Sequence, residues 1–305
     1  MAEFDNCRAK HGRARGFLDA WNPQAKTLAL VAHVQAVLAE YREHLPLTAR
    51  QIFYRLVAAH GFDKTNRDYK RLCEMLVSGR RAGVIPWDAI RDDGFTRASS
   101  DTYSDAGDFM KACRYTAEKH FRLDRQDGQR ERLVVWCETS GMVPQLERVA
   151  DRYGVPVFSS GGFDSVSVKH TIAREFAGYD VPVRVLHIGD HDPSGIHLFM
   201  SLAEDIGAFC KRYGGRVEFD RLAVLPGHIP QFGLVTAPPK PSDRRRFEGQ
   251  TVQAESLPPD VLADLLRQGV ESHFNMQVYL DVLDDEAAQR AALLEQFDDL
   301  DTDDE

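Results

Sequence analysis

Three acidic residues are placed where a divalent cation could be held. Asp190 and Asp192 form an Asp-x-Asp pair directly after the β-branched run Val181–Ile188, and Glu138 follows a second apolar run, Leu133–Trp136. Carboxylates at the ends of buried strands contribute nothing to packing. In a parallel α/β sheet that end of the strands is where ligands sit. Magnesium takes carboxylate oxygens and keeps several waters, so two or three acids suffice when a phosphate supplies the rest. Gly189 and the Pro193-Ser194-Gly195 turn would let the backbone come close to such a ligand. A purely structural role is the other reading, with Asp190 capping the next helix and Asp192 in an Asp-Pro turn.

A second group lies upstream, in Arg50-Gln51-Ile52-Phe53-Tyr54-Arg55. At helical spacing Arg50 and Tyr54 share a face. An arginine beside a phenol can bind a phosphate and stabilise the phenolate, and a tyrosine so activated can act as a covalent nucleophile. Tyr54 as an ordinary half-buried tyrosine is the alternative. Next comes a basic cluster, Lys64, Arg67, Lys70, Arg71, Arg80 and Arg81, with only Asp68 and Glu74 set against it. It reads either as a phosphate or groove contact or as a solvated face. Lys240 and Arg244, in the basic stretch Lys240–Arg246, could line a DNA channel; Glu255 could assist the metal site or lie on the surface.

These residues need elements to position them. Residues 26–100 read as mostly helical: a periodic stretch Ala29–Tyr41, a helix opened by the capping-box sequence Thr48-Ala49-Arg50-Gln51, and a third over Asn66–Ser78. Leu47 and Ile52 are placed for a hydrophobic staple, and an extended piece begins at Pro86-Trp87. Three helices followed by a short extended element match a winged-helix layout. Residues 101–130 form a bridging helix (Asp105–Phe121) and a polar loop. Residues 131–250 alternate strands (Leu133–Trp136, Val155–Phe158, Val181–Ile188, Arg221–Leu225) with helices (Val143–Tyr153, Ser165–Phe176, Gly195–Tyr213), which implies a parallel sheet with both faces covered. A polar arm, 1–25, precedes these parts. Two helices and an acidic tail make up 251–305. The expected fold class is α/β.

Bulk properties narrow the function classes. The chain has 305 residues, 43% of them hydrophobic and 28% charged. No apolar run is long enough to span a bilayer, and the basic start, Met1–Gly16, lacks the apolar core of a secretory signal. Five scattered cysteines without a Cys-x-x-Cys pair fit a reducing cytoplasm. The net charge of −9 looks wrong for a nucleic-acid partner until its distribution is seen. Residues 281–305 carry eleven acids against Arg290, so the rest of the chain is near +1, and residues 1–100 hold sixteen Lys and Arg against eleven Asp and Glu. The tail Asp298–Glu305 is expected to be disordered.

The ordered combination resembles a known family. Glu138 followed by Asp190-x-Asp192 on an α/β sheet is similar to the Toprim domain of topoisomerases, primases and some nucleases. Thr48-x-Arg50-x-x-Phe53-Tyr54 resembles the active-site helix of the topoisomerase VI A subunit and its meiotic double-strand-break relatives, and the closest likeness is to the miniature A-subunit-like proteins of bacteria and mobile elements. The resemblance covers about residues 28–245. It implies a winged-helix domain followed by a Toprim domain, with Tyr54 attacking a DNA phosphodiester to leave a 5′-phosphotyrosyl link. Arg50 would support the phosphate, and Glu138, Asp190 and Asp192 would hold Mg²⁺. It further implies double-stranded DNA as substrate, a homodimer in which each tyrosine faces the partner's metal site, a separate ATPase subunit and a nucleoid-associated, cytoplasmic place of work. Thr139 stands where the family often has lysine. A Toprim nuclease that hydrolyses DNA with metal-activated water is the alternative.

Overall fold

The computed structural model describes residues 18, 20–91, 101–159, 166–239 and 247–302. It is a mixed α/β structure that divides into two compact units. Lys240 and Arg244 lie outside the described residues.

The first unit comprises residues up to 92 together with 227–237 and 255–261. Its helices are α1 (Ala25–Glu40), α2 (Ala49–Ala59), α3 (Asn66–Arg81) and the short α8 (His228–Phe232). Leu30, Val34, Val37, Leu47, Ile52, Leu56, Leu72, Leu76, Ile85 and Ile90 are buried in one core. Both members of the expected staple, Leu47 and Ile52, are in it. The capping box at the start of α2 is formed in both directions: Gln51 N–H donates to Thr48 Oγ1 at 3.1 Å, and Thr48 N–H donates to Gln51 Oε1 at 2.9 Å. Of the two glycines that could end α3, Gly83 lies just past it with a φ of 70°, whereas Gly79 is buried inside the helix, where a Cβ would come within 3.0 Å of Ile85. The expected extended piece after Pro86 is a 3-10 turn at Trp87–Ala89, and among the described residues there only Ile90 pairs, as a parallel bridge with Leu47.

The second unit holds residues 93–226, 238–254 and 262–305. Strands β1 (Arg132–Cys137), β2 (Val157–Ser159), β3 (Val183–Ile188) and β4 (Val217–Ala223) form one all-parallel sheet in the order β2-β1-β3-β4. Helices α5 (Val143–Ala150), α6 (Val166–Ala177) and α7 (Pro193–Arg212) connect them. Val134 and Trp136 of β1 and Val183 and Val185 of β3 pack on one face against Ile172, Ala173 and Phe176 of α6 and Leu202 and Ile206 of α7. The other face is covered in part by α9 (Pro259–His273). A Cβ on its Gly269 would lie 2.9 Å from Leu222 and 3.7 Å from Leu186. With both faces covered, the central strands are apolar almost throughout, as a parallel sheet requires.

Helix α4 (Ala106–His120), capped by Asp105, forms where a helix was expected over Asp105–Phe121 and belongs to the second unit. The final helix α10 runs from Met276 to Thr302. This corrects the expectation of a disordered tail: residues 298–302 are helical, and Asp298 pairs with Arg114 at 2.6 Å. Glu286 anchors α10 by accepting from Arg125 Nη2 at 2.7 Å, Arg290 Nη2 at 2.7 Å and Leu123 N–H at 3.1 Å. No helix among the described residues is long and apolar enough to cross a membrane.

Candidate functional site

The carboxylates belong to the second unit. Beyond the end of β1, Glu138 N–H still donates to Ile188 O at 2.9 Å, so the ladder holds the acid level with the end of β3. Its Oε2 accepts the Asp190 N–H at 2.9 Å. Asp190 Oδ1 accepts the Ala254 N–H at 2.8 Å, and Asp192 Oδ1 accepts the Gly195 N–H at 2.7 Å as the N-cap of α7. The capping acid is therefore Asp192, with Pro193 in the first turn where a missing N–H costs nothing. Two glycines are steric requirements. A Cβ on Gly189 would lie 2.6 Å from His187 Cε1 and 2.7 Å from Glu138 Oε2. One on Gly195 would collide with the Asp190 carbonyl oxygen.

The electrostatics of this loop reflect crowded negative charge. Burial, then the nearby charge of Asp190 and more weakly Asp192, pushes the Glu138 carboxyl up to about 7, against the pull of the Asp190 N–H and Arg221. Sequence reasoning passed over Arg221 on β4. Its guanidinium gathers the loop by its backbone, donating to Gly189 O at 3.1 Å, to Asp190 O and, at 3.5 Å, to Gly195 O. Burial lowers its basicity, while Glu138, Asp190 and Asp192 act the other way. The only available signal was a charge near the end of a strand, level with the acids. His187 of β3 is buried beside Phe199 with its Nδ1 unpartnered. Burial, and then the Arg221 charge, holds it neutral down to about pH 3.

Carboxylate oxygens are the donor type a hard cation takes, Asp190 and Asp192 are close enough to raise Glu138, and the glycines keep the space beside Glu138 clear. Each carboxylate also accepts a backbone N–H. Among the described residues, no group of three His, Cys, Asp or Glu side chains stands in a ready-made coordination arrangement.

The tyrosine belongs to the first unit. Tyr54 is not half-buried, since only 2% of its surface is exposed. Its ring meets Phe53 edge-on with centroids 5.7 Å apart, and the Lys64 ammonium lies 5.3 Å from its ring centre. Lys64 also donates to Val235 O at 3.1 Å, and burial lowers its pKa. It therefore stands apart from the exposed basic residues Arg67 and Lys70 of α3. Of the remaining cluster, Arg71 donates to Lys26 O at 3.3 Å and Arg80 stacks on Trp87 at 5.3 Å, while Arg81 is part-buried at the end of α3. Arg50 lies over the Tyr69 ring at 5.0 Å, and its Nε is 3.8 Å from Glu255 Oε2. Glu255 is buried, and its Oε1 accepts from Thr48 Oγ1 at 3.0 Å. Neither sequence reading of Glu255 anticipated this: it is not a surface residue, and its carboxylate turns to the start of α2.

Compared with models of known families and with curated proteins, the chain matches none.

Proposed function

We propose that the chain cleaves and rejoins double-stranded DNA by tyrosine transesterification, as the A-type subunit of a type IIB topoisomerase-like complex. In this reading the first unit is a winged-helix domain and the second a Toprim domain. The observation that carries it is the Glu138–Asp190–Asp192 group on the neighbouring strand ends β1 and β3, where burial first, and then the charges of Asp190 and Asp192, push the Glu138 carboxyl up to about 7. Such a group is poorly explained by packing and well matched to a divalent cation. Magnesium, when bound there, neutralises charge on the transferring phosphate and the leaving oxygen.

The chain's own residues would supply the rest. The Tyr54 phenol gives up its proton as its oxygen bonds to phosphorus and the P–O3′ bond breaks, and the released 3′-oxygen takes up a proton in return. One phosphoester replaces another, so rejoining needs no outside energy. Arg50, one turn earlier and partly exposed, would orient the phosphate with its planar fork. Arg221 holds the carboxylate loop by its carbonyl oxygens. Exposed Arg67 and Lys70 would meet the DNA backbone. A homodimer and a separate ATPase subunit belong to the same proposal.

The burial of Tyr54 favours a second reading. A nucleophile with 2% exposure must be uncovered before it can reach DNA, whereas hydrolysis by an activated water needs no tyrosine. The test is a denaturing gel of supercoiled DNA incubated with Mg²⁺ and either wild type or Tyr54→Phe, with and without protease. Transesterification predicts linear DNA bearing a protease-sensitive adduct with wild type only. Equal, protease-insensitive cleavage by both proteins would establish the hydrolytic reading instead. Asp192→Ala should abolish cleavage under either reading, and full Mg²⁺-dependent activity in that variant would remove the metal assignment.

A further inference from the structure

We infer that Glu255 is a positioning residue for Arg50, acting from a segment more than two hundred residues downstream of it. The inference rests on the tyrosine reading above. Glu255 lies in the 3-10 turn Ala254–Ser256, and its neighbours dock on α2 as well: Arg55 donates to the Ser256 carbonyl, and Leu257 is buried. Only 6% of Glu255 is exposed. A carboxylate is rarely buried unless it is hydrogen-bonded or paired, because losing its hydration is costly. Here it does two things. Oε1 accepts from Thr48 Oγ1, the same hydroxyl that caps α2, and so ties the turn to the N-cap of the tyrosine helix. Oε2 faces Arg50 Nε across 3.8 Å.

Arg50 itself is long and would sample many rotamers at a surface position. The Tyr69 ring beneath the guanidinium and the Glu255 carboxylate beside Nε help to limit it. Its side chain nevertheless keeps 47% exposure. A guanidinium that is oriented from one side and accessible from the other can receive a phosphate without first being ordered. Pre-orientation of this kind lowers the cost of reaching the reactive geometry.

The experiment compares wild type, Glu255→Gln, Arg50→Lys and the double variant in the full chain, reading DNA adduct yield with Mg²⁺ and the thermal midpoint. The amide of Glu255→Gln can still accept from Thr48 and fills nearly the same volume. Its midpoint should therefore move by no more than about 4 °C. Adduct formation should fall by about 100-fold, the size expected when a phosphate-orienting group is misplaced. Because Glu255 acts through Arg50, the double variant should be no worse than the poorer single one. Wild-type adduct yield in Glu255→Gln overturns the inference, as do losses that multiply in the double variant. Wild-type yield in Arg50→Lys also overturns it, since there would be nothing to position. If wild type forms no adduct at all, the tyrosine reading itself falls and takes the inference with it; this outcome is distinct from the others because it appears before any substitution is made.

Discussion

Replacing Glu138 with glutamine should make the metal-free protein more stable, and only above mildly acidic pH. The carboxyl titrates at about 7 in the fold against an ordinary 4.5, chiefly because it is buried and then because Asp190 and Asp192 are near. The unfolded chain therefore gives up this proton first. As pH rises from about 4.5 to about 7, the group progressively destabilises the fold. At 1.36 kcal/mol per pH unit the full effect is about 3 kcal/mol. Glutamine stays neutral, and its side-chain oxygen can still accept the Asp190 N–H. Urea denaturation of wild type and Glu138→Gln in chelator, from pH 4.5 to 8.5, should show no gap at the acid end. Near pH 8 the variant should be the more stable by up to about 3 kcal/mol. Magnesium should then raise the wild-type stability, by about 2.7 kcal/mol at a hundredfold excess over its dissociation constant, and leave the variant much less affected. A variant no more stable than wild type at pH 8, or a gap that does not close toward pH 4.5, would refute the account of a carboxyl raised by burial and neighbouring charge.

Two other perturbations bear on the scaffold. Glu286 behaves oppositely to Glu138: burial would raise its carboxyl, but hydrogen bonds from Arg125 and Arg290 prevail and hold it down to about 2. Its contribution, about 3 kcal/mol from the same conversion, is complete above pH 4.5 and is lost as pH falls toward 2. Glu286→Gln should be destabilised at pH 6 and approach wild type as the solution is acidified, and a pH-independent difference would contradict the assignment. Gly195→Ala forces a Cβ against the Asp190 carbonyl, so it should cost about 1–3 kcal/mol and weaken Mg²⁺ binding measured by calorimetry; unaltered stability and affinity would show that the loop accommodates the methyl group.

Much of the scaffold was legible in the sequence because its signals are local. The strand–helix alternation from Leu133 onward appears as a parallel sheet, and the capping box at Thr48 forms as its residue types require. The strand expected at Arg221–Leu225 begins earlier, at Val217. Apolar residues alternate with charged ones through Val217-Glu218-Phe219-Asp220, and an edge strand tolerates this pattern because it pairs on one side only. The terminal helix was expected, but its continuation through Asp298–Thr302 was missed because acid-rich composition says nothing of a partner such as Arg114. Within the candidate site, the acids and the Arg50–Tyr54 spacing could be read directly. The Glu255–Thr48 bond spans 207 positions, and Arg221 works through backbone carbonyls, so no local pattern encodes either. The burial of Tyr54 had the same cause: a helix face shows which residues share it, not what later segments cover it.

The pairing of β1 with β3 sets a ruler for the acids. Cys137 is in register with Ile188, and the next residue on each strand still follows the ladder. Neighbouring strands are about 4.8 Å apart whatever their side chains, so the separation of the Glu138 and Asp190 backbones is inherited from the peptide lattice. Drift in the apolar core can then exchange one hydrophobic residue for another without rescaling the distance between the acids. A one-residue slip of β1 against β3 has the opposite character, because it turns every side chain to the other face. The spacing is thus robust to gradual change and vulnerable to a single insertion or deletion within either strand.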